Sequence, residues 1–184
     1  MIPLTFVSTN PGKAREVREI AAPYGISVRW RRRRLLEPQA DDLATVVRAK
    51  LAAVRDVPGN VLVEDSGLFI NSLAGFPGVY SAHFLSAWGF GPMLELLRHR
   101  SRLAEFRAAA GLRIGGRTRV FTGSVRGSIA PRPRGTAGFG YDPIFIPRGW
   151  TKTFAQVPAA AKNELSHRSR AVRKAARYLA RHAA

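Results

Sequence analysis

Five short stretches of the chain bring together residue types that do chemistry on charged substrates. The first is Ser8-Thr9-Asn10-Pro11-Gly12-Lys13. Small polar residues follow an apolar run, and a helix signal opens with Asn10 as N-cap and Pro11 in its first turn. Backbone N–H groups at such a helix start, with Lys13 beside them, suit an anion. It is not a Walker A loop, because Val7 stands where the first glycine is required and Ala14 follows Lys13. The second is Glu64-Asp65-Ser66-Gly67, set between Val61-Leu62-Val63 and Leu68-Phe69-Ile70. Adjacent carboxylates between apolar runs are costly to bury without a cation or strong donors. On a strand they point to opposite faces, so they need not share one ligand. One could hold Mg²⁺ or activate water while the other orients a neighbour; a turn with solvated acids fits the same letters. Glu37 is a third acid, either a second metal ligand or a counter-charge to the arginines before it.

The fourth stretch is Gly138-Phe139-Gly140-Tyr141-Asp142-Pro143. Its glycines allow close approach to a flat ligand, its aromatics offer stacking faces, and Asp142 can accept hydrogen bonds. A tight turn with core aromatics is the alternative. The fifth is Lys162 with Ser166-His167-Arg168. On one continuous helix Lys162 and Ser166 share a face, with Arg168 about half a turn beyond. A lysine there reaches phosphate and an arginine reaches a base edge, whereas His167 alone carries little weight.

The elements that must position these groups mix strands and helices throughout, which predicts α/β or α+β. Strands are expected at Ile2 to Ser8, Ile26 to Trp30, Val61 to Val63 and Ile144 to Ile146. Leu103 to Ile114 and Arg117 to Ser124 read as a hairpin around Gly115-Gly116, with Val125 to Ala130 extending it. Helices are expected from Gly12 to about Ala22, from Asp41-Asp42 through Val54, from Pro92 to Arg98, and as one long helix from about Ala160 to Ala183. Gly75 to Gly78 and Pro131 to Gly140 read as loops. No internal repeat appears, and no linker is long enough to separate domains, so residues 1–184 are expected to form a single domain.

Length and composition set the frame. The chain has 184 residues, 46% of them hydrophobic, which supports a packed core rather than disorder. No apolar run reaches the roughly 20 residues that span a bilayer, so no membrane partner is expected. The first residues, MIPLTFVST, do not read as a signal peptide, and a cytoplasmic protein is the expectation. With no cysteine, disulfides, thiolate metal sites and cysteine nucleophiles are excluded. Thirty basic residues against twelve acids give a net charge of +18, so a polyanion partner is expected. The scarcity of acids makes each one conspicuous. Arg29-Trp30 followed by Arg31 to Arg34 also suits a nucleic-acid-binding protein, although a solvated strand end fits the run better and predicts only non-specific attraction.

The stretches STNPGKAREV, VEDSGLFI, GFPGVYSA, GFGYDPIF and KTFAQVPAAAKNELSHRSRA, in this order, resemble the inosine triphosphate pyrophosphatases. Each block alone is weak, but the five in order are specific and cover residue 8 to about 171. The resemblance implies an α/β fold with a mixed, elongated central β-sheet, flanking helices and two lobes around a nucleotide-binding cleft. It implies Mg²⁺-dependent hydrolysis of ITP, dITP and XTP to the monophosphate and pyrophosphate, which cleanses the nucleotide pool, and a homodimer. Carried over position by position, Ser8, Thr9, Asn10, Pro11, Gly12 and Lys13 hold the triphosphate, with Lys50 matching a lysine of the second helix. Glu37 and Asp65 are the metal-linked carboxylates, Glu64 a further candidate, and Asp65 the proton acceptor for the attacking water. Ser66 touches the phosphates. Phe139, Gly140, Tyr141 and Asp142 frame the base, and Lys162, His167 and Arg168 close over the nucleotide. The chain departs from the family pattern at Glu64, where many relatives carry Asp, and at His83, where bacterial relatives often carry Arg. A Maf-like pyrophosphatase acting on pyrimidine or modified nucleotides is the alternative enzyme; the blocks around Phe139 and Arg168 favour the purine reading.

Overall fold

A computed structural model describes residues 1–183. Its frame is a seven-stranded mixed sheet. Strand β1 (Ile2–Val7) runs into helix α1 (Pro11–Ala21), which ends in a 3-10 turn, Ala22–Tyr24, closed by Gly25. Strand β2 (Ile26–Arg31) returns parallel to β1. Helix α2 (Leu43–Ala52) follows, capped by Asp42, whose carboxylate accepts the Thr45 N–H at 2.8 Å. Strand β3 (Val61–Ile70) lies parallel to β1 on one edge and antiparallel to β5 (Leu103–Ile114) on the other. Between them stand a two-residue strand, β4 (Pro77–Gly78), and two short helices, α3 (Ser81–Trp88) and α4 (Gly91–Leu96). The β5–β6 hairpin, with β6 at Arg117–Ile129, turns on Gly115 and Gly116, both at positive φ as the tight turn requires. Strand β7 (Phe145–Pro147) closes the order β2-β1-β3-β5-β6-β7, with β4 beside β3. The chain ends in α5 (Ala159–Leu165) and α6 (His167–His182).

Three apolar clusters fix these layers. On one face of the sheet α1 and α6 pack Val17, Ile20, Val172 and Leu179 against Phe6, Leu62 and Leu112. On the other, α2 packs Val47 and Leu51 against Val63 and Ala109. Towards the far end of β3, α3 and α4 bury Phe84, Met93 and Leu97 against Leu68, Phe106 and Phe145. At about 25 cal/mol per Å² of apolar surface removed from water, a fully buried Leu or Phe contributes about 2 kcal/mol.

Several sequence expectations need correction. Glu64 to Gly67 are neither a turn nor a strand end; β3 continues through them, because β5 pairs with every residue from Val61 to Ile70. Helix α3 was not legible in YSAHFLSAW, which has no side-chain N-cap and buries only Ser81 and Phe84. The third expected helix starts at Gly91 and ends at Leu96, with Pro92 in its first turn. The expected long C-terminal helix is broken at Ser166, which has φ −62° and ψ 157°. Its hydroxyl accepts the Ser169 N–H at 3.2 Å, so it caps a new helix instead of continuing the old one. Lys162 and Ser166 therefore do not share a face of one helix.

Candidate active site

The strand pairing itself opens a gap. Strand β1 pairs with β3 only at Val61 and Leu62, and β4 pairs only at Leu68 and Phe69. Between those contacts one edge of β3 is uncovered at Glu64, Asp65 and Ser66. A cleft of about 540 Å³ lies there. Of the residues proposed above, Ser8, Thr9, Asn10, Lys13, Glu37, Lys50, Glu64, Asp65, Ser66, Phe139, Gly140, Tyr141, Asp142, His167 and Arg168 all line it. Gly12 and Lys162 stand behind its wall, against Phe139, while Pro11 is exposed and does not line it.

The turn after β1 is built by its own side chains. The Ser8 hydroxyl accepts the Asn10 N–H and Asn10 Oδ1 accepts the Lys13 N–H, each at 3.1 Å. The Trp30 indole donates to the Ser8 carbonyl at 2.7 Å, tying the turn to β2. Gly12 is required by packing: a Cβ there would lie 2.6 Å from Phe139 Cδ1. The helix start thus sits directly against the aromatic wall of the cleft.

Glu64 and Asp65 project to opposite faces of β3, as strand geometry demands. Glu64 turns towards α1 and α6, where its oxygens meet Lys13 Nζ at 2.8 Å and Arg168 Nε at 3.1 Å. Asp65 turns towards α2 and accepts from Lys50 Nζ at 2.8 Å. Lys13 reaches both acids, standing 3.9 Å from Asp65. Burial works against ionisation of Glu64, but the Arg168 and Lys13 charges outweigh it and hold its pKa down at about 2. For Asp65 the balance is reversed. Burial pushes its pKa above the ordinary aspartate value and Glu64 adds to the rise, against the pull of Lys13 and Lys50. Two neighbouring carboxylates are thereby driven apart, one kept as an anion and one made the better proton acceptor.

Glu37, on the loop before α2, places Oε1 2.6 Å from the same Lys50 Nζ that holds Asp65. Glu37 and Asp65 therefore converge on one cationic centre from different elements. Both are hard oxygen donors of the kind Mg²⁺ takes. No cluster of three or more acidic or histidine side chains close enough to bind a metal occurs among the described residues.

The other end of the cleft is aromatic and cationic. Phe139 lies beneath two cations, 4.7 Å from Lys162 Nζ and 5.2 Å from the Arg168 guanidinium, measured to the ring centroid. Asp142 accepts from Lys162 at 2.6 Å and from the Phe139 N–H at 2.8 Å. Tyr141 is buried and donates to the Ser81 carbonyl at 2.9 Å. His167 stacks on Phe106 with centroids 4.4 Å apart. Burial, with Arg168, Lys162 and Lys13 nearby, holds its pKa well below the usual value, so its ring is neutral at pH 7.

One residue escaped the sequence reading. Glu16, buried on α1, meets Lys162 at 2.7 Å and Arg168 Nη1 at 2.6 Å. It ties α1 to the Lys162 and Arg168 of two different helices. The available signal was its spacing three residues after Lys13, among the buried Ala14, Val17 and Ile20.

The sequence profile of the Ham1 family matches residues 4–178. The dITP/XTP pyrophosphatase of Thermococcus kodakarensis is 44% identical over 179 residues, covering 96% of both chains. A HAM1 protein of Coxiella burnetii superposes with a TM-score of 0.83 at 26% identity, over 98% of this chain and all of that one. The Ham1 protein of Staphylococcus aureus gives a TM-score of 0.80 at 27% identity, over 96% and 97% of the two chains. The mixed sheet, the ordered blocks around its cleft and these matches agree: this chain belongs to the Ham1 family.

Proposed function

We propose that this chain is a nucleoside triphosphate pyrophosphatase that hydrolyses dITP, ITP and XTP to the monophosphate and pyrophosphate. The single observation that carries the reading is the Glu64–Asp65 pair, its two acidities driven apart beside lysines in a cleft with an aromatic wall. The activity named for the Thermococcus relative agrees with it.

Glu37 and Asp65 would hold the metal, taken as Mg²⁺. Such an ion neutralises charge on the phosphate oxygens. Its remaining ligands would be water and substrate oxygens, the usual habit of Mg²⁺. Asp65 accepts the proton of the attacking water as a new P–O bond forms and the anhydride link between the α- and β-phosphates breaks. Lys13 and the Thr9 N–H of the turn face the phosphate chain, the Ser8 and Asn10 N–H groups being already donated to the Arg31 carbonyl and the Ser8 hydroxyl, and Ser66 adds a hydroxyl. Glu64 stays ionised and holds both Lys13 and Arg168 in place.

At the base end, Phe139 offers a stacking face. Arg168 spends Nε on Glu64, one N–H of Nη1 on Glu16 and one of Nη2 on Ser66. Its remaining N–H groups can only donate. They reward the 6-oxo group of hypoxanthine or xanthine and meet the 6-amino group of adenine with like polarity. A site built on such donors rejects the wrong edge strongly.

The reading includes a homodimer, checked by sedimentation equilibrium, and a cytoplasmic location, checked by cell fractionation. No helix among the described residues is long and apolar enough to cross a membrane. The deciding experiment is pyrophosphate release across a nucleotide panel with Mg²⁺. dITP, ITP and XTP should turn over far faster than ATP, GTP and the pyrimidine triphosphates. Equal rates on all of them would overturn the proposal.

A further inference from the structure

The charge count of the cleft leaves a problem that its best-placed residues do not solve. Lys13 is paired with Glu64, and Lys50 with Glu37 and Asp65. Lys162 is paired with Glu16 and Asp142, and Arg168 with Glu16 and Glu64. The floor of the cleft thus carries one more acid than base. A triphosphate brings about four negative charges, and desolvated like charges repel strongly. The paired cations are already neutralised and one Mg²⁺ offsets only two of those charges, so further positive charge must come from other side chains.

Two further arginines line the same cleft, Arg33 and Arg34, at the start of the loop between β2 and α2. Their roles differ. Arg33 donates to both carboxylate oxygens of Asp56 at 2.8 Å, which fixes the loop beyond the end of α2. Arg34 has no carboxylate partner among the described residues and is exposed. It stands three residues before Glu37, whose carboxylate reaches Lys50. Arg34 thus lines the cleft from the same loop as Glu37, on a different element from the aromatic wall at Phe139.

We propose that Arg34 recognises the distal phosphate of the substrate and makes the site prefer triphosphates over diphosphates. The inference rests on the nucleotide reading above. With the base against Phe139 and the scissile link beside Asp65, the third phosphate extends past Lys50 towards the loop. A guanidinium there can donate two parallel hydrogen bonds to phosphate oxygens, a geometry that a lysine does not reproduce. The charge comes without a carboxylate to displace, so the contact is gained only when the third phosphate is present. A diphosphate ends short of it.

The test compares Arg34→Ala and Arg34→Lys with the unaltered chain in equilibrium binding. The ligands are the ITP and IDP analogues that each carry an imido bridge between the α- and β-phosphates, both with Mg²⁺. Arg34→Ala should weaken the ITP analogue about tenfold, the loss of one charged hydrogen-bonding contact. Binding of the IDP analogue should change less than about twofold, and Arg34→Lys should recover only part of the loss. In turnover of ITP, KM should rise by the same factor as the loss of affinity for the ITP analogue while kcat holds. Equal weakening of both ligands would reduce Arg34 to general attraction and overturn the proposal, as would no change. Because the ligands are compared without hydrolysis, a chain that binds the ITP analogue but turns over no nucleotide refutes the enzymatic reading and leaves the Arg34 comparison decisive. An unaltered chain that binds neither ligand overturns both.

Discussion

Replacing Glu64 by Gln should remove a specific, calculable part of the protein's acid sensitivity. The folded pKa of Glu64 is about 2 against an ordinary value of 4.5. A group whose pKa is depressed by folding stabilises the native state above its unfolded pKa and loses that contribution as pH falls towards the folded one. Each unit is worth about 1.4 kcal/mol, so the full contribution is about 3 kcal/mol at neutral pH. Linkage puts the loss at about 2 kcal/mol by pH 3, with most of the remainder going as pH falls to 2. Other carboxylates titrate in the same interval, and the raised pKa values of Asp65 and Asp142 act with the opposite sign. The informative quantity is therefore the difference between the unaltered chain and Glu64→Gln at each pH. Urea unfolding followed by tryptophan fluorescence at pH 6, 4.5 and 3 measures it. Glu64→Gln should be the less stable protein at pH 6, because Lys13 and Arg168 each lose a buried partner. That gap should close by about 2 kcal/mol between pH 6 and pH 3. Parallel stability curves would refute the assignment of Glu64 as a buried anion held by Arg168 and Lys13.

Asp65→Asn should lower kcat by at least about a hundredfold, the usual range for a lost general base, while far-UV circular dichroism stays native. The acid limb of kcat/KM in the unaltered protein should lie above the ordinary aspartate value, following the upward shift of Asp65, and a limb at or below that value would contradict the environment described. Glu16→Gln should cost about 2 kcal/mol in urea unfolding, since a neutral amide replaces a carboxylate shared by Lys162 and Arg168. It should also weaken ITP binding through the misplaced Arg168, and an unchanged affinity would show that Glu16 serves the fold alone.

The chemistry-bearing residues were legible in the sequence because their types are expensive to place idly. Twelve acids in a chain of net charge +18 made Glu37, Glu64, Asp65 and Asp142 conspicuous. The alternation of a strand already sent Glu64 and Asp65 to opposite faces. Asn10 and Pro11 announced the start of α1, and Gly115-Gly116 announced the hairpin. Local rules also misled. Residues 160–183 read as one helix because helical periodicity continues across Ser166, and nothing nearby says that its hydroxyl will cap a new helix. The strand expected to stop at Val63 runs on through Glu64–Gly67 because their pairing with β5 comes from residues forty or more positions away.

Only the tertiary structure decided which charges neutralise one another. Lys13, Lys50, Lys162 and Arg168 read as a row of cations awaiting phosphate; folding pairs every one of them with an acid contributed by another element. Glu16 joins the site for the same reason, and Arg34 stands out among eighteen surplus positive charges only because the others in the cleft have partners. Charge is a property of residues, but its cancellation depends on distances of a few ångströms across the fold, which a sequence does not contain.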